Sequence, residues 1–153
     1  MALFLVQHGK SLPKEVDPEQ GLSDEGRTET EAIASVAREQ GVRIARIVQS
    51  GKKRAAQTAE IFVAALQPSG GVQKGDGLSP LDDVADFAEK IDPSEDLMLV
   101  GHLPFMERLA SFLITGAADK PVIRFQNSGI VCLDRDAGAD RWTIQWTLFP
   151  RIG

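Results

Sequence analysis

Two histidines, His8 and His102, are the residues of this 153-residue chain best suited to chemistry at a phosphorus atom. A neutral imidazole is a competent nucleophile toward phosphorus, and a second imidazole, if protonated, can stabilise charge on the equatorial oxygens of a phosphoryl group. Arg54 adds a planar guanidinium whose donors fit phosphate oxygens in pairs. Because the chain has only these two histidines, most histidine chemistry must use them. Together the three residues predict a site for a phosphorylated substrate.

Each of these three residues lies just beyond the end of a predicted strand. The strands are short apolar or β-prone segments, namely Ala2–Val6, Arg46–Gln49 and Leu97–Val100. In open α/β sheets ligands bind at the carboxyl ends of the strands, so parallel pairing would bring the three polar segments to one edge. We therefore expect both histidines and Arg54 to surround one crevice. Ser50 and Gly51 precede a predicted helix, Ala55–Leu66, whose N-terminal N–H groups attract anions.

The remaining periodicity predicts further helices and two closing strands. A helix begins after Ser23, which suits an N-cap, and ends at Gly41, which suits the left-handed position after a helix. The other predicted elements are helices over Asp83–Ile91 and Pro104–Ile114 and strands over Ile130–Leu133 and Trp142–Leu148. In the last strand, apolar residues alternate at positions 142, 144, 146 and 148. The segment between Gln67 and Pro80 is rich in glycine and proline and is predicted to be a loop.

The order of these elements, β-α-β-α-loop-α-β-α-β-β, predicts an α/β fold. Continuously apolar strands such as Leu97–Val100 suit a largely parallel sheet that is covered by helices on both faces, in three α/β/α layers. The last two strands, joined by a short turn, predict an antiparallel edge. We find no repeat and no linker, so we expect one domain over residues 1–153.

Composition restricts the class of protein. With 42% hydrophobic and 25% charged residues the chain is an ordinary globular one, and its net charge of −5 lacks the basic footprint of a nucleic-acid binder. The longest apolar segment is far shorter than the ~20 residues that span a bilayer, and we recognise no signal peptide. One cysteine, Cys132, cannot form an internal disulfide. We expect a cytoplasmic protein that binds neither nucleic acid nor a membrane.

Several other polar residues have simpler explanations. The basic segment Lys52–Arg54 alone is typical of a solvated surface, and Cys132 in an apolar strand suits a small buried residue better than a nucleophile. Asp82 and Asp83 suit a helix cap better than a general acid. The chain has no HExxH or CxxC motif and no carboxylate-rich loop, so we expect no metal.

Four ordered segments resemble the histidine phosphatase superfamily, also called phosphoglycerate mutase-like. Residues 3–11, LFLVQHGKS, resemble its "RHG" opening, and residues 21–26, GLSDEG, resemble its "LTxxG" segment. Residues 50–58, SGKKRAAQT, are similar to "SPxxRAxQT", and residues 101–104, GHLP, are similar to "GHxP". The short chain and the small gap between Arg54 and His102 are most similar to SixA-like phosphohistidine phosphatases. The resemblance implies a phosphoglycerate mutase-like fold.

The resemblance also implies a role for each matched residue. His8 would be the nucleophile and form a transient phosphohistidine, and Arg54 would clamp the phosphoryl oxygens. His102 would lie beside the phosphate and stabilise developing charge. Gly9 would permit the tight backbone path, with its carbonyl orienting the His8 ring, and Ser50 or the helix after it would donate to the phosphate. No metal or organic cofactor is implied.

The chain departs from the family pattern at two positions. Gln7 stands where the motif has arginine, and its amide is expected to donate to a phosphate oxygen. A charge-assisted hydrogen bond contributes about 1.5–3 kcal/mol and a neutral one about 0.5–1.5 kcal/mol, so this exchange alone predicts a loss of about tenfold in rate. Lys10, Lys52 or Lys53 are candidates to supply the missing charge. Gly51 stands where the motif has proline, which we expect only to loosen the turn.

Three functions remain open from the sequence. The first is hydrolysis of phosphohistidine in a phosphorylated protein, because an imidazole leaving group does not need a strong acid. The second is hydrolysis of small phosphomonoesters, which would need a proton donor such as Asp82 or Asp83. The third is a phosphate- or phosphoprotein-binding module weakened in catalysis by Gln7. The oligomeric state does not follow from the sequence.

Overall fold

A six-stranded mixed sheet forms the centre of the computed structural model, which describes residues 2–152. The strands are β1 (Ala2–Gln7), β2 (Arg46–Gln49), β3 (Val72–Lys74), β4 (Leu97–Gly101), β5 (Ile130–Asp134) and β6 (Thr143–Leu148), and their order is β3-β2-β4-β1-β5-β6. The pairs β1–β4, β4–β2 and β2–β3 are parallel, whereas β1–β5 and β5–β6 are antiparallel. The largely parallel sheet with an antiparallel edge, predicted from the sequence, is confirmed.

Helices cover both faces of this sheet. They are α1 (Asp24–Glu39), α2 (Lys53–Leu66), α3 (Val84–Glu89) and α4 (Phe105–Thr115). Side chains of α1 and α2 pack with Phe4 and Val6 on one face, and side chains of α3 and α4 pack with Leu3 and Leu5 on the other. Because alternate residues of β1 are buried on opposite faces, its continuous apolar sequence is explained. The three α/β/α layers are confirmed.

The predicted ends of α1 are confirmed in detail. The Oγ of Ser23 accepts a hydrogen bond from the N–H of Gly26 at 3.0 Å, which satisfies one free donor of the first turn. Asp24 and Glu25 occupy that turn, where the helix dipole favours anions. Gly41, with a φ of +75°, follows the helix in the left-handed conformation that glycine adopts without strain.

One strand lies where the sequence predicts a loop. β3 is an edge strand of three residues, and it pairs in parallel with β2 through contacts such as Ile47 with Val72. The prediction of a continuous loop between Gln67 and Pro80 is therefore wrong for its centre. So short a strand with a single apolar residue carries no periodicity, and only the neighbouring edge of β2 makes it extended.

The closing strand also differs from its prediction. A β-bulge opposite Cys132 and Leu133 shifts the register of β6, and Trp142 lies outside the strand. Trp142 is buried with the α3 and α4 side of the core, whereas Trp146 packs on the other side, 6.0 Å from the ring of Phe4. The predicted alternation of positions 142, 144, 146 and 148 along one face is therefore wrong. The bulge inserts one residue into the strand, so the side chains before it point to the opposite face of the sheet.

The register brings the predicted polar segments together. Gln7, the last residue of β1, pairs with Gly101 of β4, and Gln49 of β2 pairs with Val100 of the same strand. The three parallel strands thus end at one level, and the chain leaves each of them at the same edge of the sheet. Within residues 2–152, no helix combines the length and the apolar character needed to cross a membrane.

Candidate active site

The two histidines meet at this edge, although one follows β1 and the other follows β4. Their ring centroids lie 5.0 Å apart with 53° between the ring planes. The backbone N–H of His8 donates to the carbonyl of Gly101 at 3.0 Å, which continues the pairing of β1 with β4. Arg54, in the first turn of α2, lies close enough for its charge to lower the pKa of both imidazoles. The two histidines thus lie together at one sheet edge with Arg54 near them, as the sequence predicts, whereas their roles stay a prediction.

The backbone around Gly9 fixes the orientation of the His8 ring. Nδ1 of His8 lies 2.7 Å from the carbonyl oxygen of Gly9, and a carbonyl only accepts, so Nδ1 carries the proton. The Nε2 atom therefore holds the free lone pair. Burial lowers the pKa of His8, the bond to Gly9 opposes that change, and the charge of Arg54 lowers the pKa further. At neutral pH the ring is a neutral imidazole, which is the nucleophilic form.

His102 is almost completely buried, with 2% of its surface exposed. Burial lowers its pKa to about 4, helped by repulsion from His8 when that ring is protonated and by the positive charges of Arg54 and Lys52. The free site at neutral pH therefore holds a neutral ring and not the imidazolium that the sequence left open. Its Nε2 lies 2.6 Å from the Oγ of Ser50, while its Nδ1 is buried and has no hydrogen-bond partner among residues 2–152.

Two residues that the sequence reasoning assigned no role hold the His8 loop in place. The N–H of Gly9 donates to Oγ1 of Thr58 at 2.9 Å, and that hydroxyl donates to the carbonyl of Arg54 at 2.7 Å. Nδ2 of Asn127 donates to the carbonyl of His8 at 2.9 Å. Thr58 thus ties the loop that carries the imidazole to the helix that carries the guanidinium. Its place in the motif matched at residues 50–58 was the available signal, whereas nothing in the sequence indicated Asn127.

Gly9 and Gly26 are needed because other atoms occupy the space of a side chain. A Cβ at Gly9 would lie 2.8 Å from Oγ1 of Thr30, and a Cβ at Gly26 would lie 2.1 Å from the carbonyl oxygen of Lys10. The N–H of Ser23 also donates to that carbonyl at 3.0 Å. The matched segment at residues 21–26 therefore supports the backbone that follows His8.

The segment before α2 differs from its prediction. The helix begins at Lys53, its N-cap is Lys52, and no side chain caps its free N–H groups. Ser50 precedes the first turn and contacts His102, so its hydroxyl supports the imidazole. Gly51 has a φ of +97°, which proline cannot adopt, so the expectation that this exchange only loosens the turn is wrong.

The three lysines that could replace the missing arginine are in different surroundings. Nζ of Lys10 lies 2.6 Å from a carboxylate oxygen of Glu25, and Nζ of Lys53 lies 2.9 Å from one of Asp17. Both ammonium groups are thus engaged by carboxylates. Lys52 makes no such pair within residues 2–152, and its charge acts on His102.

Gln7 and the two aspartates complete the predicted set. Oε1 of Gln7 is buried and has no hydrogen-bond partner in the described chain, so no protein donor holds the amide through its oxygen. A carboxylate oxygen of Asp82 accepts from the N–H of Ser79 at 2.9 Å. Asp83 is the N-cap of α3 and accepts from the N–H of Ala85 at 2.8 Å. Within residues 2–152, no group of three His, Cys, Asp or Glu side chains is arranged to hold a metal ion.

Comparisons with known proteins agree with this geometry. The sequence model of the histidine phosphatase superfamily (branch 1) matches residues 3–82. An uncharacterised protein from Picosynechococcus sp. is 30% identical over an alignment 142 residues long, which covers 87% of this chain and 84% of that protein. The chain therefore belongs to the histidine phosphatase superfamily.

Solved structures extend the likeness to the whole chain. The protein histidine phosphatase SixA complexed with tungstate has a TM-score of 0.81 at 25% identity, over 98% of this chain and 97% of that one. A SixA phosphohistidine phosphatase candidate from Agrobacterium tumefaciens has a TM-score of 0.75 at 25% identity, over 96% of both chains. A mycobacterial glucosyl-3-phosphoglycerate phosphatase has a TM-score of 0.69 at 17% identity, over 95% of this chain and 97% of that one, which shows a common fold.

Proposed function

We propose that this member of the histidine phosphatase superfamily hydrolyses phosphohistidine on a phosphorylated protein through a covalent phosphohistidine formed on His8. The observation that carries the proposal is the His8 ring, neutral and with Nδ1 bonded to the Gly9 carbonyl, 5.0 Å from the ring of His102. The fixed tautomer leaves the lone pair of Nε2 free, and this lone pair is the nucleophile of the proposed reaction.

In the first step, Nε2 of His8 attacks phosphorus and the P–N bond of the substrate breaks. A substrate imidazole protonated on its other nitrogen leaves as a neutral imidazole and needs no acid from the enzyme. The phosphorylated His8 becomes positively charged, and its Nδ1–H remains bonded to the carbonyl of Gly9. That carbonyl therefore stabilises the intermediate, because its partial negative charge faces the new positive charge.

In the second step, a water molecule attacks phosphorus and His8 leaves as a neutral imidazole. The proton of that water passes to solvent or to the released phosphate, and Nδ1 of His8 keeps its own proton throughout. Arg54 and the uncapped N–H groups of the first turn of α2 donate to the phosphoryl oxygens. These fixed donors stabilise the charge that the transition state spreads over those oxygens.

The second imidazole acts as a further donor to the phosphoryl group. When the Ser50 hydroxyl donates to Nε2 of His102, the proton of this neutral ring lies on Nδ1, the buried atom without a partner. A phosphoryl oxygen then completes the hydrogen bonding of His102. The negative charge of that oxygen also raises the pKa of His102 from its low value in the free site.

The hydrogen bonds of Asp82 and Asp83 favour phosphohistidine over phosphomonoesters as the substrate. An alkoxide leaving group needs a proton donor, and the two aspartates considered for this role are engaged by backbone N–H groups, Asp82 in a turn and Asp83 at a helix cap. An imidazole leaves without such help. The likeness to SixA at 25% identity over nearly the whole chain supports the same substrate class.

The test is release of phosphate from a 32P-labelled, histidine-phosphorylated carrier protein. We expect turnover by the wild type, a labelled intermediate that is lost in acid, and neither from His8→Ala. Arg54→Gln should lose most activity, whereas Arg38→Gln, at an exposed position in the last turn of α1, should keep it. Full activity of His8→Ala would exclude the mechanism.

The same assay separates the two alternatives. Faster hydrolysis of aryl or sugar phosphates than of phosphohistidine, with loss on removing a carboxylate, would assign a phosphomonoesterase. Binding of vanadate or tungstate without turnover of any phosphorylated substrate would assign a binding module. Circular dichroism of each variant shows that the fold is retained, so that loss of activity reports on chemistry.

A further inference from the structure

An open cleft of about 300 Å³ is bordered by Ser50, the residue whose hydroxyl contacts His102. It is formed between the segment before α2 and the loop after β3, and its lining includes Ser50, Lys52, Lys74, Asp76, Gly77 and Ser79. Ser50 joins the cleft to the catalytic residues, because its Oγ contacts His102. In the proposed reaction, the cleft is therefore one side chain away from the imidazole of His102 and within reach of a neighbouring residue of a polypeptide substrate.

The aliphatic stem of Lys74 packs against the backbone of Gly51 at the edge of the cleft. A Cβ at Gly51 would lie 2.6 Å from Cε of Lys74 and 3.0 Å from its Cδ, so the stem lies directly on the backbone of Gly51. Gly51 has a positive φ and no side chain, so its backbone is uncovered where the lysine stem lies. The departure from proline at this position thus makes room for a lysine from a neighbouring strand.

The loop after β3 is anchored at both ends, so the cleft has a defined wall. The N–H of Gly75 donates to the carbonyl of Gln49 at 2.9 Å, and the side chain of Leu78 is 1% exposed within the core. The N–H of Ser79 donates to Asp82 at 2.9 Å. The residues between these anchors face the cleft on a supported backbone.

The cleft carries more positive than negative charge, although the whole chain is acidic, with a net charge of −5. Lys52 and Lys74 line it together with one carboxylate, Asp76. Within residues 2–152 neither ammonium lies within salt-bridge distance of a carboxylate, including that of Asp76. Both ammonium charges are therefore available to a ligand. The carboxylate of Asp76 repels a negatively charged ligand only where the two groups come close together.

We propose that this cleft binds an acidic side chain of the substrate polypeptide, a Glu or Asp close to the phosphorylated histidine, through Lys74 and Lys52. The inference rests on the proposed function and adds a sequence preference to it. A cleft that is open to solvent and bordered by Ser50, the neighbour of His102, can accommodate a polypeptide segment. A carboxylate is the group on such a chain that two ammonium groups select.

The preference is measured with two synthetic phosphohistidine peptides of equal length. One carries Glu and the other Gln at the positions flanking the phosphohistidine, and the readout is the ratio of their kcat/KM values. An exposed ion pair contributes at most about 1 kcal/mol, so we expect the wild type to prefer the Glu peptide about three- to fivefold. Lys74→Gln should bring this ratio close to one.

Two further variants serve as controls of opposite kinds. Lys120→Gln should keep the wild-type ratio, because Lys120 follows the C-terminal end of α4, the end remote from His102. Asp76→Asn removes the opposing carboxylate and should raise the ratio about twofold. Raising the ionic strength from about 0.05 M to about 0.5 M should reduce the wild-type preference, because salt screens exposed charges.

The outcomes separate this inference from the proposed function. No preference in the wild type, or a preference that Lys74→Gln retains, would overturn the acidic subsite while leaving phosphohistidine hydrolysis intact. If neither peptide is hydrolysed, the proposed function fails, and dissociation constants of the two peptides for His8→Ala still decide the subsite. Loss of activity in Lys74→Gln toward a small doubly phosphorylated molecule, but not toward the Glu peptide, would also overturn it.

Discussion

The hydroxyl of Ser50 lies 2.6 Å from Nε2 of His102, while the other ring nitrogen is buried without a partner among residues 2–152. A buried polar atom without a partner costs free energy unless a ligand completes it. When the hydroxyl donates to Nε2, the ring proton lies on Nδ1. In the proposed reaction this contact makes Ser50 a positioning residue for His102.

Ser50→Ala is expected to lower kcat toward phosphohistidine about tenfold. Without the hydroxyl, the neutral ring can hold its proton on either nitrogen, and the donor to the phosphoryl group is present only part of the time. Ser50→Thr, which keeps a hydroxyl, should restore most of the rate. An equal loss in both variants would show that the effect comes from the shape of the segment and not from the hydrogen bond.

Protein stability is expected to fall as the pH is lowered from about 6.5 toward 4. The pKa of His102 is about 4 in the folded chain and 6.5 when unfolded, so in this range the unfolded state binds more protons. The shift corresponds to about 3 kcal/mol of unfolding free energy, present above pH 6.5 and lost toward pH 4. His8, whose pKa is also lowered by burial, contributes in the same direction.

Chemical denaturation between pH 7.5 and about 4 measures this effect. His102→Asn should flatten most of the curve, leaving the part that belongs to His8 and, at the acid end, the part of Glu25, whose pKa is lowered by the hydrogen bond from Lys10. The lowered pKa of Asp17, about 2, places its loss of stability below pH 4 and outside the range. A bound oxyanion such as tungstate should reduce the slope, because it favours the protonated ring. A curve unchanged by His102→Asn would contradict the assignment.

Gln7→Arg is expected to raise kcat/KM about tenfold. Of the three lysines considered as substitutes for the family's arginine, Lys10 and Lys53 are paired with carboxylates, and only Lys52 remains. A guanidinium at position 7 would add a charge-assisted bond to the phosphoryl group where the amide makes a neutral one. Rates at saturating and at low substrate separate binding from catalysis. An unchanged rate would mean that Lys52 already supplies the missing charge.

Asp83→Ala is expected to destabilise the protein by about 1 kcal/mol without loss of activity. The carboxylate caps the short helix α3 by accepting from Ala85, and removing a cap has about this cost. Asp82→Asn should likewise leave phosphohistidine hydrolysis unchanged, because its carboxylate accepts from the backbone of Ser79. Denaturation curves and rates for both variants provide the check. A large loss of activity in either would favour phosphomonoester hydrolysis.

The sequence by itself determined the position of the candidate site and the layers of the fold. Apolar strands followed directly by polar segments placed His8, Arg54 and His102 at one sheet edge, because parallel strands must end at the same side. Burial on both faces made β1 and β4 continuously apolar, and this pattern is local in the sequence. Caps such as Ser23 and Asp83 were also predictable, because a cap acts within one helical turn.

Only the tertiary structure decided features that depend on residues distant in the chain. The strand β3 and the bulge in β6 follow from pairing with a neighbour, which leaves no periodic signal. The partners of the lysines and the bond from Ser50 to His102 join segments that are separate in the sequence. Hydrogen bonds and charge act over a few ångströms in space whatever the separation along the chain, so the protonation of each imidazole is fixed only once the chain has folded.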